Sequence, residues 1–179
     1  MSLSIDSKME LRWWLNNLPS MENWLYPPPI TNTIFTDASH FAWGTFFRGQ
    51  STGGSWDIHE LPLHINVKEI LSVYYSLRSF SRPLSQSHVK VFSDNTTAVG
   101  AINKMGSSRS LDCHEVVRDI WEFCRSKSIW ITCAHIPRIE NVEADKASRK
   151  QYCDAEWMLN PEIFLDALHH HNSIIIPQR

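Results

Sequence analysis

None of the four cysteines, Cys113, Cys124, Cys133 and Cys153, stands at CxxC spacing from another, so the pattern of a structural zinc site is missing. The thiols are expected to be free and buried, in a reducing compartment. Long apolar runs are missing too. The longest, Ser173 to Pro177, falls far short of the roughly 20 residues a spanning helix needs. The N-terminus opens with mixed polar, acidic and basic residues and carries no secretory signal pattern. These absences lead to the expectation of an intracellular protein of cytoplasm or nucleus, with no membrane partner. Nor is there an excess of positive charge: Lys and Arg number 17 against 19 Asp and Glu, for a formal net charge of −2. That balance argues against a protein holding nucleic acid by bulk electrostatics alone, because phosphate binding rests on Lys and Arg. It leaves a nuclease open, since a hydrolytic site made of carboxylates itself lowers the net charge. Internal repeats and low-complexity tracts are absent as well.

What remains is a globular composition, 42% hydrophobic and 20% charged over 179 residues, enough for one ordinary domain with terminal extensions. In residues 1–30, Leu11, Trp13, Trp14, Leu15 and Leu18 recur at helical spacing, with Ser7 as the expected N-cap. Tyr26-Pro27-Pro28-Pro29 then enforces a stiff extended linker. The aromatic face of that helix implies a docking surface. From 31 to 150 the spacing predicts strands at Thr33–Asp37, Ala42–Arg48 and, after Gly53-Gly54, Ser55–Ile58. A helix capped by Asn66 comes next, with Val67, Ile70, Leu71, Tyr74 and Leu77 on one face and Pro83 beyond its end. His88–Ser93 reads as a strand, Thr96–Asn103 as a helix closed near Gly106, and Ser110–Ser126 as another helix. Ile129–Ala134 completes the strands and Glu140–Lys150 the helices, leaving 151–179 as a C-terminal extension. Three leading strands can meander antiparallel, while strands separated by helices need parallel crossovers. The expected fold is α/β: a mixed five-stranded sheet with helices on both faces.

Four acids occupy element ends in this scheme: Asp37 on the first strand, Glu69 in the first turn of the first long helix, Asp94 after a strand, and Asp145 on the last helix. Singly, each has a bland explanation. Glu69 suits a helix dipole, and Asp94 equally suits the N-cap of the next helix. Asp37 is harder to explain away, because a carboxylate within an apolar strand is costly unless paired or metal-bound. Together they suit a hard cation such as Mg²⁺, which takes carboxylate oxygens and relieves their mutual repulsion.

The segments Phe35-Thr36-Asp37-Ala38-Ser39 with Gly44, Asn66-Val67-Lys68-Glu69, Phe92-Ser93-Asp94-Asn95-Thr96-Thr97-Ala98-Val99, Ile102-Asn103-Lys104-Met105-Gly106 and the stretch from His135-Ile136-Pro137-Arg138 to Asp145 resemble, in this order, the ribonuclease H domain. The version they resemble is the one attached to reverse transcriptases of DIRS-type retrotransposons. Leu11-Arg12-Trp13-Trp14-Leu15 resembles the segment joining the polymerase to this domain there, and Glu156–Glu162 resembles the segment on the domain's C-terminal side. The resemblance implies Mg²⁺-dependent cleavage of the RNA strand of RNA–DNA hybrids, leaving a 5′-phosphate and a 3′-hydroxyl. It implies Asp37, Glu69, Asp94 and Asp145 as ligands of two Mg²⁺ ions, with Mn²⁺ able to substitute and Asp37 bridging. On the same basis His135 is a loop histidine that shuttles protons or helps product leave, and Ser39, Asn95 and Asn141 touch the substrate. The implied partners are the hybrid and an attached or associated polymerase domain. Thr96 stands where relatives often carry Gln, and no basic helix separates Lys104 from Leu111, so affinity for hybrid is expected to lean on the polymerase.

Two other readings stay open on the sequence. One is a different nuclease of the same fold, since fold alone does not fix chemistry. The other is a domesticated retroelement fragment that binds nucleic acid or protein without cutting. Neither His114, His64 and His88 nor the run His169–His171 is given a role.

Overall fold

The computed structural model describes residues 3–20 and 27–150. The C-terminal extension with Cys153, Glu156–Glu162, His169–His171 and Ser173–Pro177 lies outside the described residues, as does Tyr26. The first helix, α1 (Ile5–Asn17), is capped by Ser4, whose Oγ accepts the Ser7 N–H at 3.1 Å. Ser7, the expected cap, therefore sits inside the first turn, because the extended backbone at Ser4 already aims a hydroxyl at the free N–H groups. Leu11, Trp14, Leu15 and Leu18 are exposed, while Trp13 lies under the Arg125 guanidinium, 5.1 Å from the ring centre.

Strands β1 (Asn32–Ala38), β2 (Ala42–Phe47) and β3 (Gln50–Ser55) form a meander. Arg48 and Gly49, at φ 48° and 82°, close β2 onto β3. A two-residue turn with both φ positive matches the twist of the flanking strands. This tight turn corrects the expected third strand: pairing starts at Gln50, so Gly53-Gly54 lie inside β3, and of the expected Ser55–Ile58 only Ser55 belongs to it. A polar, glycine-containing strand is tolerated there because β3 is an edge among the described residues.

Helix α2 (Ile65–Ser79) is capped by His64 rather than Asn66, with His64 Nδ1 accepting the Asn66 N–H at 3.1 Å. Glu69 consequently lies beyond the first turn, which holds no acid. The short α3 (Ser81–Leu84) carries Pro83. Then come β4 (His88–Ser93), α4 (Thr96–Asn103), α5 (Leu111–Ser126), β5 (Trp130–His135) and α6 (Val142–Arg149). α4 leaves its last turn through Met105 at φ 57°, and Gly106 N–H returns to the Ala101 carbonyl at 2.9 Å. α6 starts two residues later than Glu140, because Asn141 is tied by its side-chain amide to the Thr36 carbonyl at 2.9 Å and a 3₁₀ turn fills Arg138–Glu140.

The sheet order is β3-β2-β1-β4-β5, with β1–β2–β3 antiparallel and β1–β4–β5 parallel, as the element order predicts. Side chains alternate across a strand. Ile34, Val89, Val91 and Ile131 point into a core with Ile70, Val73 and Leu77 of α2 and Val117, Ile120 and Cys124 of α5. The opposite face carries α6, which crosses β1, β2 and β3. Gly44 makes that crossing close: a Cβ there would stand 2.2 Å from the Ser148 nitrogen and 2.5 Å from the Ala144 carbonyl oxygen. Cys113, Cys124 and Cys133 are free and buried, and burial pushes the Cys124 thiol up to about 12. Among the described residues no helix is long and apolar enough to cross a membrane.

Candidate active site

The parallel pairing of β1 with β4, register Phe35 to Phe92, brings Asp37 on β1 alongside Asp94 just past the end of β4. α2 packs under both and adds Glu69. Carboxylate oxygens of Asp37, Glu69 and Asp94 all lie within 4.8 Å of one another. Asp37 and Glu69 are each only 4% exposed, and Asp94 is half-buried. Burial, aided by Asp94 and Asp145, pushes Asp37 up to about 6 against the opposing hydrogen bond from Ser148 and the charge of Arg138. Glu69 is pushed up to about 9, first by burial and then by Asp37 and Asp94, against a backbone hydrogen bond from Ala38 and Arg138. Such acids are held in want of a cation. The Glu69 Oε2 oxygen is buried with no hydrogen-bond partner among the described residues, and a buried acceptor left unpaired is costly. Hard carboxylate oxygens with one unpaired acceptor are the donor set a divalent cation such as Mg²⁺ takes.

The fourth acid stands apart. Both oxygens of Asp145 are engaged by guanidinium groups: Arg138 donates to Oδ1 at 3.1 and 3.2 Å, and Arg149 Nε to Oδ2 at 2.8 Å. Asp145 still lies near enough to act electrostatically on Asp37, and Arg138 acts on both Asp37 and Glu69. His135, the last residue of β5, is exposed and opposite Ser93 in the β4–β5 register, one residue before Asp94.

The three expected substrate residues occupy different surroundings. Asn95 caps α4, its Oδ1 accepting the Ala98 N–H at 2.9 Å while its amide donates to Asn66 at 3.0 Å. Ser39 is half-buried. Its Oγ accepts the Ala42 N–H at 3.0 Å and lies 2.6 Å from the Ser148 carbonyl oxygen, to which it donates. Asn141 is buried at the start of α6, and its Oδ1 has no hydrogen-bond partner among the described residues.

Three further residues hold the site together: Ser148, outside the segments that carry the resemblance, and Lys68 and Asn103, inside them. Ser148 donates from Oγ to Asp37 Oδ2. Lys68 is buried and donates to the His40 and Leu61 carbonyls at 2.8 and 3.0 Å, fixing the turn after β1. Asn103 pairs both ways with Cys133, its amide donating to the carbonyl and its Oδ1 accepting the N–H, each at 2.8 Å. This ties α4 to the strand that ends at His135. The one sequence signal for Ser148 is spacing, three residues after Asp145 on the same helix.

No protein-family model matches the chain, and no curated protein matches it. Solved structures do. The chain is similar to ribonuclease H1 from compost, solved with an RNA/DNA hybrid, at 17% identity and TM-score 0.54, over 65% of this chain and 93% of that one. A second structure of that compost enzyme gives 18% identity and TM-score 0.52, over 66% and 93%. Ribonuclease H1 from the halophilic archaeon Halobacterium salinarum gives 15% identity and TM-score 0.52, over 65% and 92%. The fold is that of ribonuclease H.

Proposed function

We propose that the chain hydrolyses the RNA strand of RNA–DNA hybrids with divalent cations, as the ribonuclease H part of a retroelement reverse transcriptase. The observation that carries this reading is the cluster of buried Asp37 and Glu69 with half-buried Asp94, where Glu69 Oε2 has no hydrogen-bond partner among the described residues. Asp37, Glu69 and Asp94 are the holders of Mg²⁺ in this proposal, with Mn²⁺ as a substitute and Asp145 as the fourth ligand once it parts from its arginines. Two ions bound there would supply activation of water and stabilisation of the leaving 3′ oxygen, giving 5′-phosphate and 3′-hydroxyl ends. His135, exposed beside the cluster, exchanges protons with solvent or product during turnover.

The hybrid is recognised in this reading by its shape and by the 2′-hydroxyls of its wide minor groove. Asn95, next to Asp94, lies where such a contact is needed, and Ser39 and Asn141 shape the surface around Asp37. A groove of about 860 Å³ along α4, lined by Thr96, Thr97, Lys104, Ser107, Arg109 and His114, offers hydroxyls and cations to a phosphate backbone. The exposed Leu11, Trp14 and Leu15 of α1, with Leu18 just past its end, suit contact with a polymerase domain, which adds affinity for hybrid.

Incubation with end-labelled RNA–DNA hybrid, with and without Mg²⁺, tests the activity. Cleavage of the RNA strand alone, abolished by chelation and absent on duplex DNA, is the expected result. Intact RNA in the presence of Mg²⁺ and of Mn²⁺ overturns the proposal.

A further inference from the structure

We infer that Ser148 is a positioning residue for Asp37: its buried hydroxyl fixes one carboxylate oxygen so that the other is presented, beside Glu69 and Asp94, to a divalent cation. The inference rests on the metal-dependent reading above and adds to it a residue on the opposite face of the sheet from α2.

Ser148 is 0% exposed, so its hydroxyl must find a partner inside the protein. A helical serine has a local alternative, the carbonyl a turn back, and the Asp145 carbonyl is indeed 3.0 Å away. Asp37 Oδ2 is the closer acceptor. Being ionisable, it also makes the stronger bond, since charge-assisted hydrogen bonds are shorter and roughly twice as strong as neutral ones. A single O–H donates once, so the carboxylate takes it.

The position of that hydroxyl is enforced on several sides. Gly44 lets the α6 backbone come against β2 where any Cβ would collide with Ser148 N, Ala144 O and Ala147 C. Ser39 Oγ grips the Ser148 carbonyl at 2.6 Å from the turn after β1. Asn141 anchors the other end of α6 to the Thr36 carbonyl, one residue before Asp37. Asp37 therefore has α6 locked to its own strand on either side, and the Ser148 hydroxyl is the group that converts this locking into carboxylate orientation. Asp145 lies on the same helix, so Ser148 also sets the separation of the fourth acid from the first. Groups that hydrogen-bond a metal-ligating carboxylate typically change metal affinity or activity by about 10- to 100-fold when removed.

The test is Mn²⁺ alone titrated into the full chain, read by loss of the free-ion electron paramagnetic resonance signal, with thermal unfolding in chelator measured on the same samples. Ser148→Ala is expected to bind Mn²⁺ about 10- to 100-fold more weakly while remaining folded at the titration temperature. Ser148→Thr, which keeps the hydroxyl, is expected to recover most of the affinity. Unchanged Mn²⁺ affinity in folded Ser148→Ala overturns the inference, as does a loss that tracks the unfolded fraction. Should Ser148→Ala fail to fold, Ser148→Cys fills the same space with a weak donor; weakened Mn²⁺ binding in it supports the inference, and parental affinity overturns it. A parent chain that takes up no Mn²⁺ overturns the metal reading and this inference together. A parent that binds Mn²⁺ and cuts hybrid, with Ser148→Ala indistinguishable from it, overturns the inference alone.

Discussion

Arg138 donates from both Nε and Nη2 to the same oxygen of Asp145, at 3.2 and 3.1 Å. Arg149 holds the other oxygen, so the fourth acid meets any incoming cation already paired. Removing Arg138 frees one oxygen and removes a positive charge that acts on Asp37 and Glu69. Arg138→Ala is therefore expected to tighten Mn²⁺ binding. A largely exposed ion pair is worth roughly 0.2–1 kcal/mol, so the gain should be at most about fivefold. Weaker binding in a Mn²⁺ titration of this variant would show that Arg138 helps the site rather than competing with the ion.

Stability without divalent cations should depend on pH in a defined direction. Asp37 rises from its ordinary 3.8 to about 6 and Glu69 from 4.5 to about 9 in the folded chain. A carboxyl with a raised folded pKa binds its proton more tightly folded than unfolded. Its stabilising contribution is full below the unfolded pKa and is lost as pH rises through the folded one. The loss falls between about pH 4 and 6 for Asp37 and between about 4.5 and 9 for Glu69, and is of order 3 kcal/mol for Asp37 alone. Melting in chelator at pH 5, 7 and 9 should give falling midpoints, and Mg²⁺ should raise the midpoint more at pH 9 than at pH 5. Flat midpoints would contradict the effect of burial on both acids.

Asp94→Asn should abolish cleavage of hybrid while leaving the fold intact. The swap preserves size and removes one of three clustered carboxyl groups, whose charge opposes ionisation of its neighbours, so unfolding in chelator should shift upward if at all. An Asp94→Asn chain that cuts at the parental rate would remove the cluster from catalysis.

His135→Ala should slow turnover by about 10²- to 10⁴-fold without touching Mn²⁺ affinity, since general acid–base help is lost while the hard oxygen ligands stay. The residue is exposed at the end of β5, so melting should move within about 0.5 kcal/mol of the parent. Cleavage and melting measured together separate this from a structural histidine, which would lower both.

Gly44→Ala should loosen α6 from the sheet. The added methyl has backbone atoms at 2.2, 2.5 and 2.7 Å, none of which belongs to a flexible side chain. Overpacking of this kind typically costs about 1–3 kcal/mol, and more where backbone must shift. Denaturant unfolding measures it, and hybrid cleavage should fall with it, because α6 carries Asp145 and Ser148. A variant of unchanged stability would mean that α6 sits farther from β2.

Sheet topology, the helical faces of α2 and α5, and the meeting of Asp37, Glu69 and Asp94 were legible in the chain because each rests on periodicity or on element order. Helix starts were less so. His64 and Ser4 displace Asn66 and Ser7 as caps because a cap is chosen by backbone direction over a few residues, which composition does not encode. The third strand was misplaced because the Arg48-Gly49 turn, rather than Gly53-Gly54, closes the hairpin. The roles of Ser148 and Arg138 were hidden for a different reason: Ser148 acts through a contact across the fold to Asp37 and Arg138 through one seven residues along the chain to Asp145, and serine or arginine near a helix end is ordinary by itself.

Asn103 has a bearing on how copies of the domain behave at high concentration. Among the described residues β5 is the last strand of the sheet, and an open strand edge invites pairing with another molecule. Midway along it, both backbone groups of Cys133 are already taken by the Asn103 side chain. A foreign strand sliding along β5 would run out of partners there and be held to a few residues on either side. The opposite border, polar and glycine-bearing, has little apolar surface to reward a newcomer. The sheet is thus closed to growth at one end by a single carboxamide, and at the other by the poverty of what it offers.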